Sequence, residues 1–146
     1  MDTSIEQFLS CKRIAVAGAS RDKRKFGYTI YTELKQRGYE VFAVNPQAAE
    51  IAGDPSYPDL GQLKGKVDAV VLVLSPDKCE TIVRQAAEIG VKHLWFQQGS
   101  GSPDLVALGK SLGMNVVSGK CILLYEEPVQ SIHAFHRFFA KLFGQL

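Results

Sequence analysis

Arg13-Ile14-Ala15-Val16-Ala17-Gly18-Ala19-Ser20-Arg21-Asp22-Lys23-Arg24-Lys25-Phe26-Gly27 is the stretch on which the reading of the chain turns. Residues 13–17 form a short apolar run, the pattern of a strand buried on both faces. Gly18 permits a tight turn directly after it. Gly27 then stands at the mouth of a following helix, where backbone N–H groups and the helix dipole favour an anion. Between the two glycines lie the cations Arg21, Lys23, Arg24 and Lys25. A charge run alone usually marks a solvated face. At a first strand-to-helix turn it marks a place for phosphate, with Gly18, Ala19, Ser20, Arg21, Lys25, Phe26 and Gly27 as candidate contacts.

Outward from this turn the chain alternates strands and helices. A short helix over 4–10 precedes it. A helix over 28–37 carries Ile30, Tyr31 and Leu34 at helical spacing and stops at Gly38. Strands follow over 40–44, closed by Asn45-Pro46, and over 67–74, the strongest strand signal in the chain. Pro76 opens a helix ending at Gly90. A strand over 91–96, a helix from Ser102-Pro103-Asp104 to Gly113, and a short strand over 115–117 come next. An aromatic-rich amphipathic helix is expected over 129–143. Residues 46–66, rich in Pro, Gly and Asp, read as an irregular connection with a short helix near 59–63. Helix-length crossovers imply parallel strands. The expected fold class is α/β: a Rossmann-like, doubly wound parallel five-stranded sheet of order 3-2-1-4-5 with flanking helices.

The chain has 146 residues, 46% hydrophobic and 22% charged, which suits one globular domain over 1–146. Its net charge of +2 and pI of about 8.4 fall short of a dedicated nucleic-acid binder. The longest apolar run, 69–74, is too short to span a membrane. No secretory signal is visible at the polar, acidic N-terminus. The three cysteines Cys11, Cys79 and Cys121 form no CxxC and cannot pair completely. A reduced, cytoplasmic setting is expected.

In an open α/β sheet a ligand lies beyond the carboxyl ends of the strands, where strand order reverses. Besides the first loop, that rule selects Asn45-Pro46-Gln47, Ser75-Pro76, Gln97-Gln98-Gly99 and Ser118-Gly119-Lys120-Cys121. A nicotinamide dinucleotide is disfavoured. Ser20 stands where the second glycine of G-x-G-x-x-G would be, and strand 40–44 ends without the acid that grips a ribose hydroxyl.

These loops resemble those of the CoA-binding domain family, small Rossmann-like proteins related to the nucleotide-binding domain of the succinyl-CoA synthetase alpha subunit. The resemblance runs from about Cys11 to Cys121. It is carried by residues 14–20, Gly38-Tyr39-Glu40-Val41, Val44-Asn45-Pro46, Tyr57-Pro58, Val67-Asp68-Ala69-Val70, Trp95 with Gln97 and Gly99, and Cys121. It implies a CoA or acyl-CoA ligand extended across the strand ends. Gly18, Ala19, Ser20 and Arg21 would then hold phosphate, and Asn45 and Pro46 would border the adenine or ribose. Ser75 and Pro76 would line one wall, while Phe96, Gln97 and Gln98 would meet the adenine or pantetheine side. The sequence departs from the family pattern twice: Gln47-Ala48-Ala49 lacks the lysine often found after Asn-Pro, and Gly119-Lys120 replaces an acid and an arginine before the late cysteine. The synthetase's phosphorylated histidine belongs to a second domain with no counterpart in these 146 residues. The resemblance therefore implies binding, not the ligase reaction.

Other chemistry is weakly signalled. Lys120 could activate Cys121, but a buried small hydrophobe is the commoner role, as for Cys11 and Cys79. His133 and His136 share a helix face without a third metal ligand, and His93 reads as an ordinary strand residue. The aromatic stripe around them suits core packing or homo-oligomerisation. There is no G-x-S-x-G elbow and no Walker lysine. The alternatives to a non-catalytic CoA sensor or carrier are an oxidoreductase with a dinucleotide in an atypical Rossmann site and an interaction domain without nucleotide. Neither nucleic-acid nor membrane partners are expected.

Overall fold

In the computed structural model, which describes residues 3–125, a seven-stranded sheet lies between two layers of helices. The strands are β1 (Arg13–Ala17), β2 (Glu40–Val44), β3 (Glu50–Ile51), β4 (Asp54–Tyr57), β5 (Ala69–Leu72), β6 (His93–Phe96) and β7 (Asn115–Ser118). The helices are α1 (Thr3–Leu9), α2 (Phe26–Gln36), α3 (Cys79–Glu88) and α4 (Pro103–Ser111), with 3-10 turns at Leu60–Leu63, Pro76–Lys78 and Ile122–Leu124. The helix expected over 129–143, with His133 and His136, lies outside the described residues.

The strand order is β3-β4-β2-β1-β5-β6-β7, parallel except for the β3–β4 hairpin. The α/β, Rossmann-like class is as expected, but strand count and order are not. Five strands in the order 3-2-1-4-5 would put the third, 67–74, beside the second. Instead β5 lies on the far side of β1, and β4 takes the outer edge of β2. The difference arises within 46–66, expected to be irregular. Ala52 and Gly53 both have positive φ, 52° and 84°, and join Ile51 to Asp54 in a two-residue hairpin. That geometry normally announces itself as Asn-Gly or Asp-Gly, and Ala-Gly carries no such signal. Pro55, which lacks an N–H, sits just before Ser56 and Tyr57, the residues that pair with β2.

Both sheet faces are buried because successive residues of the central strands alternate between two cores. Ile14, Val16, Val71 and Trp95 pack under α1 and α2; Ala15, Ala17, Val70, Leu72 and Phe96 pack under α3, α4 and the Leu60–Leu63 turn. This is why β1 and β5 read as continuous apolar runs rather than alternating ones. The first core centres on Trp95, fully buried. Its ring meets Phe8 edge-on at 5.3 Å, and its Nε1–H donates to the Lys120 carbonyl at 2.9 Å. Arg37, at the end of α2, donates to the carbonyls of Leu123 and Tyr125, so the described chain ends against that helix.

At the opposite, amino end of the sheet, Arg13 closes the crossover into β5. It forms a forked pair with Asp68, at 2.7 and 3.2 Å, and donates to the Gly65 carbonyl. The hydrogen bonds and charge of Arg13 hold the Asp68 carboxyl below the usual carboxylate range. A depressed folded-state pKa contributes stability above the unfolded value, about 3.9 for Asp, and that contribution is lost as pH falls through the folded value. Asp68→Asn should therefore lower the urea midpoint at pH 7 and flatten its fall between neutral pH and pH 3. An unchanged acid slope would show that the pair contributes nothing to acid sensitivity.

Candidate functional site

At the carboxyl ends of β1, β2 and β5 the loops surround a cleft of about 810 Å³. It sits where the strand order turns, with β2 and β4 on one side of β1 and β5 on the other, the position expected for a ligand in an open α/β sheet. Backbone packing builds its floor. Gly18 has φ of +96°, and a Cβ on it would stand 2.2 Å from the Val73 carbonyl oxygen; a Cβ on Gly27 would stand 2.1 Å from the Gly18 carbonyl oxygen. The loop after β1, the exit of β5 and the start of α2 thus touch through main chain alone. The Gly18 N–H donates to the Val44 carbonyl and the Val73 N–H to the Ala17 carbonyl, tying in β2 as well.

Asn45 fixes the second loop. Its Nδ2 donates to the Ala19 carbonyl at 2.9 Å, and its Oδ1 accepts the Gln47 N–H at 2.8 Å. The polar side chain that looked like a ligand contact thus holds two loops in register, and Pro46 follows it at the cleft's edge. The third loop is held from below. The Leu74 N–H donates to Ser100 Oγ at 3.1 Å, and the Cys79 thiol donates to the Ser100 carbonyl at 3.4 Å. Burial pushes that thiol up to about 11, so it is protonated at neutral pH.

Eight of the fourteen expected site residues line the cleft: Gly18, Ser20, Lys25, Phe26, Gly27, Asn45, Pro46 and Ser75. The other six do not. Ala19 is fully buried beneath the loop and Phe96 is fully buried in the core. Gln97 is only 4% exposed, and its Oε1 accepts the Ile122 N–H, so it braces the chain after β7. Arg21, Pro76 and Gln98 are exposed but outside the lining. The basic run also divides. Arg24 is turned onto Asp22 in a forked pair, whereas Lys25, the residue preceding α2, faces the cleft. The first turn of α2 has no side-chain cap; its Tyr28 and Thr29 N–H groups donate to the Lys25 carbonyl, which leaves those of Phe26 and Gly27 for a bound anion.

The opposite wall was missed by the sequence reading. It consists of Pro58 and Asp59 together with Lys78, Thr81, Ile82 and Gln85. Lys78, Thr81, Ile82 and Gln85 fall at i, i+3, i+4 and i+7, one helix face beside the buried stripe of Cys79, Val83 and Ala86. That spacing was the available signal. No group of three metal-ligating side chains occurs among the described residues, and no helix among them is long and apolar enough to cross a membrane.

Residues 12–127 match the family model described as a CoA binding domain. The chain belongs to the CoA-binding domain family. Among its curated relatives is the alpha subunit of acetate–CoA ligase [ADP-forming] II of Pyrococcus furiosus, 26% identical over 129 residues, covering 81% of this chain and 28% of the ligase subunit. The chain thus spans well under a third of that relative. YneT of Bacillus subtilis is 26% identical over 111 residues, covering 76% of this chain and 82% of YneT. Among solved structures, a hypothetical protein from Pyrococcus horikoshii OT3 superposes with a TM-score of 0.79 at 28% identity, covering 84% of this chain and 87% of that one. A CoA-binding domain of this family can therefore occur as part of a ligase or as most of a small chain.

The floor of the cleft yields a direct test. Gly18→Ala and Gly99→Ala both place a side chain at positive φ, but a Cβ at Gly99 meets nothing within 4 Å. The second should lose only the conformational cost, about 1–2 kcal/mol. The first should lose more than about 3 kcal/mol, since a backbone carbonyl cannot yield without moving β5. Equal losses in denaturant melts would mean that the loop absorbs the collision.

Proposed function

We propose that this chain binds coenzyme A or an acyl-CoA in the cleft above β1, β2 and β5, as a binding module without catalysis of its own. The observation that carries the reading is the conjunction, in one cleft, of the glycine-packed floor, the uncapped start of α2 and Lys25. Backbone N–H groups, a helix dipole and a cation converge where a diphosphate needs them. The cleft volume of about 810 Å³ suits a ligand of this size. The family supports CoA as the ligand.

Binding without reaction is favoured by what faces the ligand. Among the described residues lining the cleft there is no histidine or cysteine, so none of them offers a histidine base to the hydroxyls of Ser20, Ser75 and Thr81. The Cys79 thiol beneath the cleft is buried and protonated. A sensor or carrier role in a cytoplasmic setting fits these features.

Calorimetry on ligand-stripped protein at low salt should give a CoA isotherm whose affinity falls as salt rises, because the lysine contacts are screened. Lys25→Ala should cost about tenfold in affinity. Arg24→Ala, whose guanidinium is engaged by Asp22, should stay within about twofold. Absence of CoA binding at low salt, or tighter binding of NADH, would overturn the reading.

A further inference from the structure

The cleft offers cations on two opposed walls, and the CoA reading uses only one. Lys25 lies beside the glycine floor and the start of α2, where main chain approaches closely enough for a diphosphate. Across the cleft Lys78 ends the Pro76–Lys78 turn, and Thr81 lies three residues along the same helix face. An ammonium with three donors and a hydroxyl at i and i+3 suit a terminal phosphate, which presents three oxygens to one side.

The carboxylates nearby sharpen the placement. Asp59 lines the same wall, with its Oδ1 accepting the Gly61 N–H. It repels a phosphate set against it and suits a donor such as an amine or hydroxyl. Asp77, next to Lys78, is held below the usual range first by a hydrogen bond from Ser75, with the Lys78 charge acting in the same direction. Gln85 Oε1 accepts the Leu60 N–H at 3.4 Å, so this side chain is anchored by its oxygen and offers only the neutral Nε2 amide to a ligand. Among the described residues of the α3 wall Lys78 carries the only positive charge, and Thr81 lies one turn along from it.

We propose that Lys78 and Thr81 form a phosphomonoester subsite that holds the 3′-phosphate distinguishing CoA from dephospho-CoA. The inference rests on the CoA reading of the cleft and adds to it a residue that sets ligand choice.

Calorimetry with CoA and dephospho-CoA on the full chain separates the two claims. The wild-type protein should prefer CoA by about tenfold. Lys78→Ala should bring the preference to within about twofold, and Lys78→Arg, which keeps the charge, should retain it. Thr81→Val should reduce it about threefold. Lys25→Ala should weaken both ligands by similar factors and leave their ratio intact. Wild-type binding of both ligands with no preference, or a preference that survives Lys78→Ala, overturns the subsite and leaves the CoA reading standing. Failure of the wild-type protein to bind either ligand overturns the CoA reading and the subsite with it. Lys78 is exposed and makes no side-chain cap for α3, so thermal melts of its variants should match wild type.

Discussion

Three pieces of main chain meet at Gly18. Its Cα lies against the Val73 carbonyl, and Gly27 lies against the carbonyl of Gly18 itself. Nothing larger than hydrogen fits at either contact. The consequence spreads through the site. The exit of β5 can sit beside the exit of β1, and α2 can begin directly above them, with Phe26 and Gly27 of its first turn lining the cleft. The same closeness lets β2 join, through the hydrogen bond from Gly18 to Val44. The floor of the cleft is therefore a property of backbone packing, and side chains furnish its walls.

Those walls are held by residues whose polar atoms point into the protein. Asn45 ties the loop after β1 to the loop after β2. Ser100 supports the loop after β5, and Gln97 braces the segment beyond β7. Among the described residues no buried side-chain nitrogen or oxygen lacks a hydrogen-bond partner. Unsatisfied, such groups would each cost on the order of 1–3 kcal/mol; satisfied, they fix loop geometry. The cleft is thus preorganised by a polar layer immediately below it, so little of a ligand's binding energy need be spent on ordering loops.

Much of this was legible in the sequence because it is written in strong local signals. The apolar runs of β1 and β5, the glycine after each of α2, α3 and α4, and the turn from Gly18 to Gly27 all carry residue types that few other structures would need. The hairpin at Ala52-Gly53 was hidden, since an alanine at positive φ is chosen by its surroundings and not by its own preference. Missing that hairpin displaced β5 in the expected order. The α3 wall was overlooked for a different reason: attention to loops passes over a helix whose polar edge faces inward. Phe96 and Gln97 show the converse error. They sit at the end of β6, which Ser100 and Ile122 cover through bonds to Gln97, whereas the cleft opens at the ends of β1, β2 and β5.

The single tryptophan of the chain stands apart from all this. Trp95 is sealed between Phe8 and Tyr125 in the core under α1 and α2, while the cleft is walled by strand ends and α3. Its indole therefore works as an optical gauge of one half of the molecule. The ring is fully buried against Phe8 of α1 and is not among the residues that line the cleft. Fluorescence at this residue would report folding separately from occupancy, a separation that a tryptophan in the cleft could not provide.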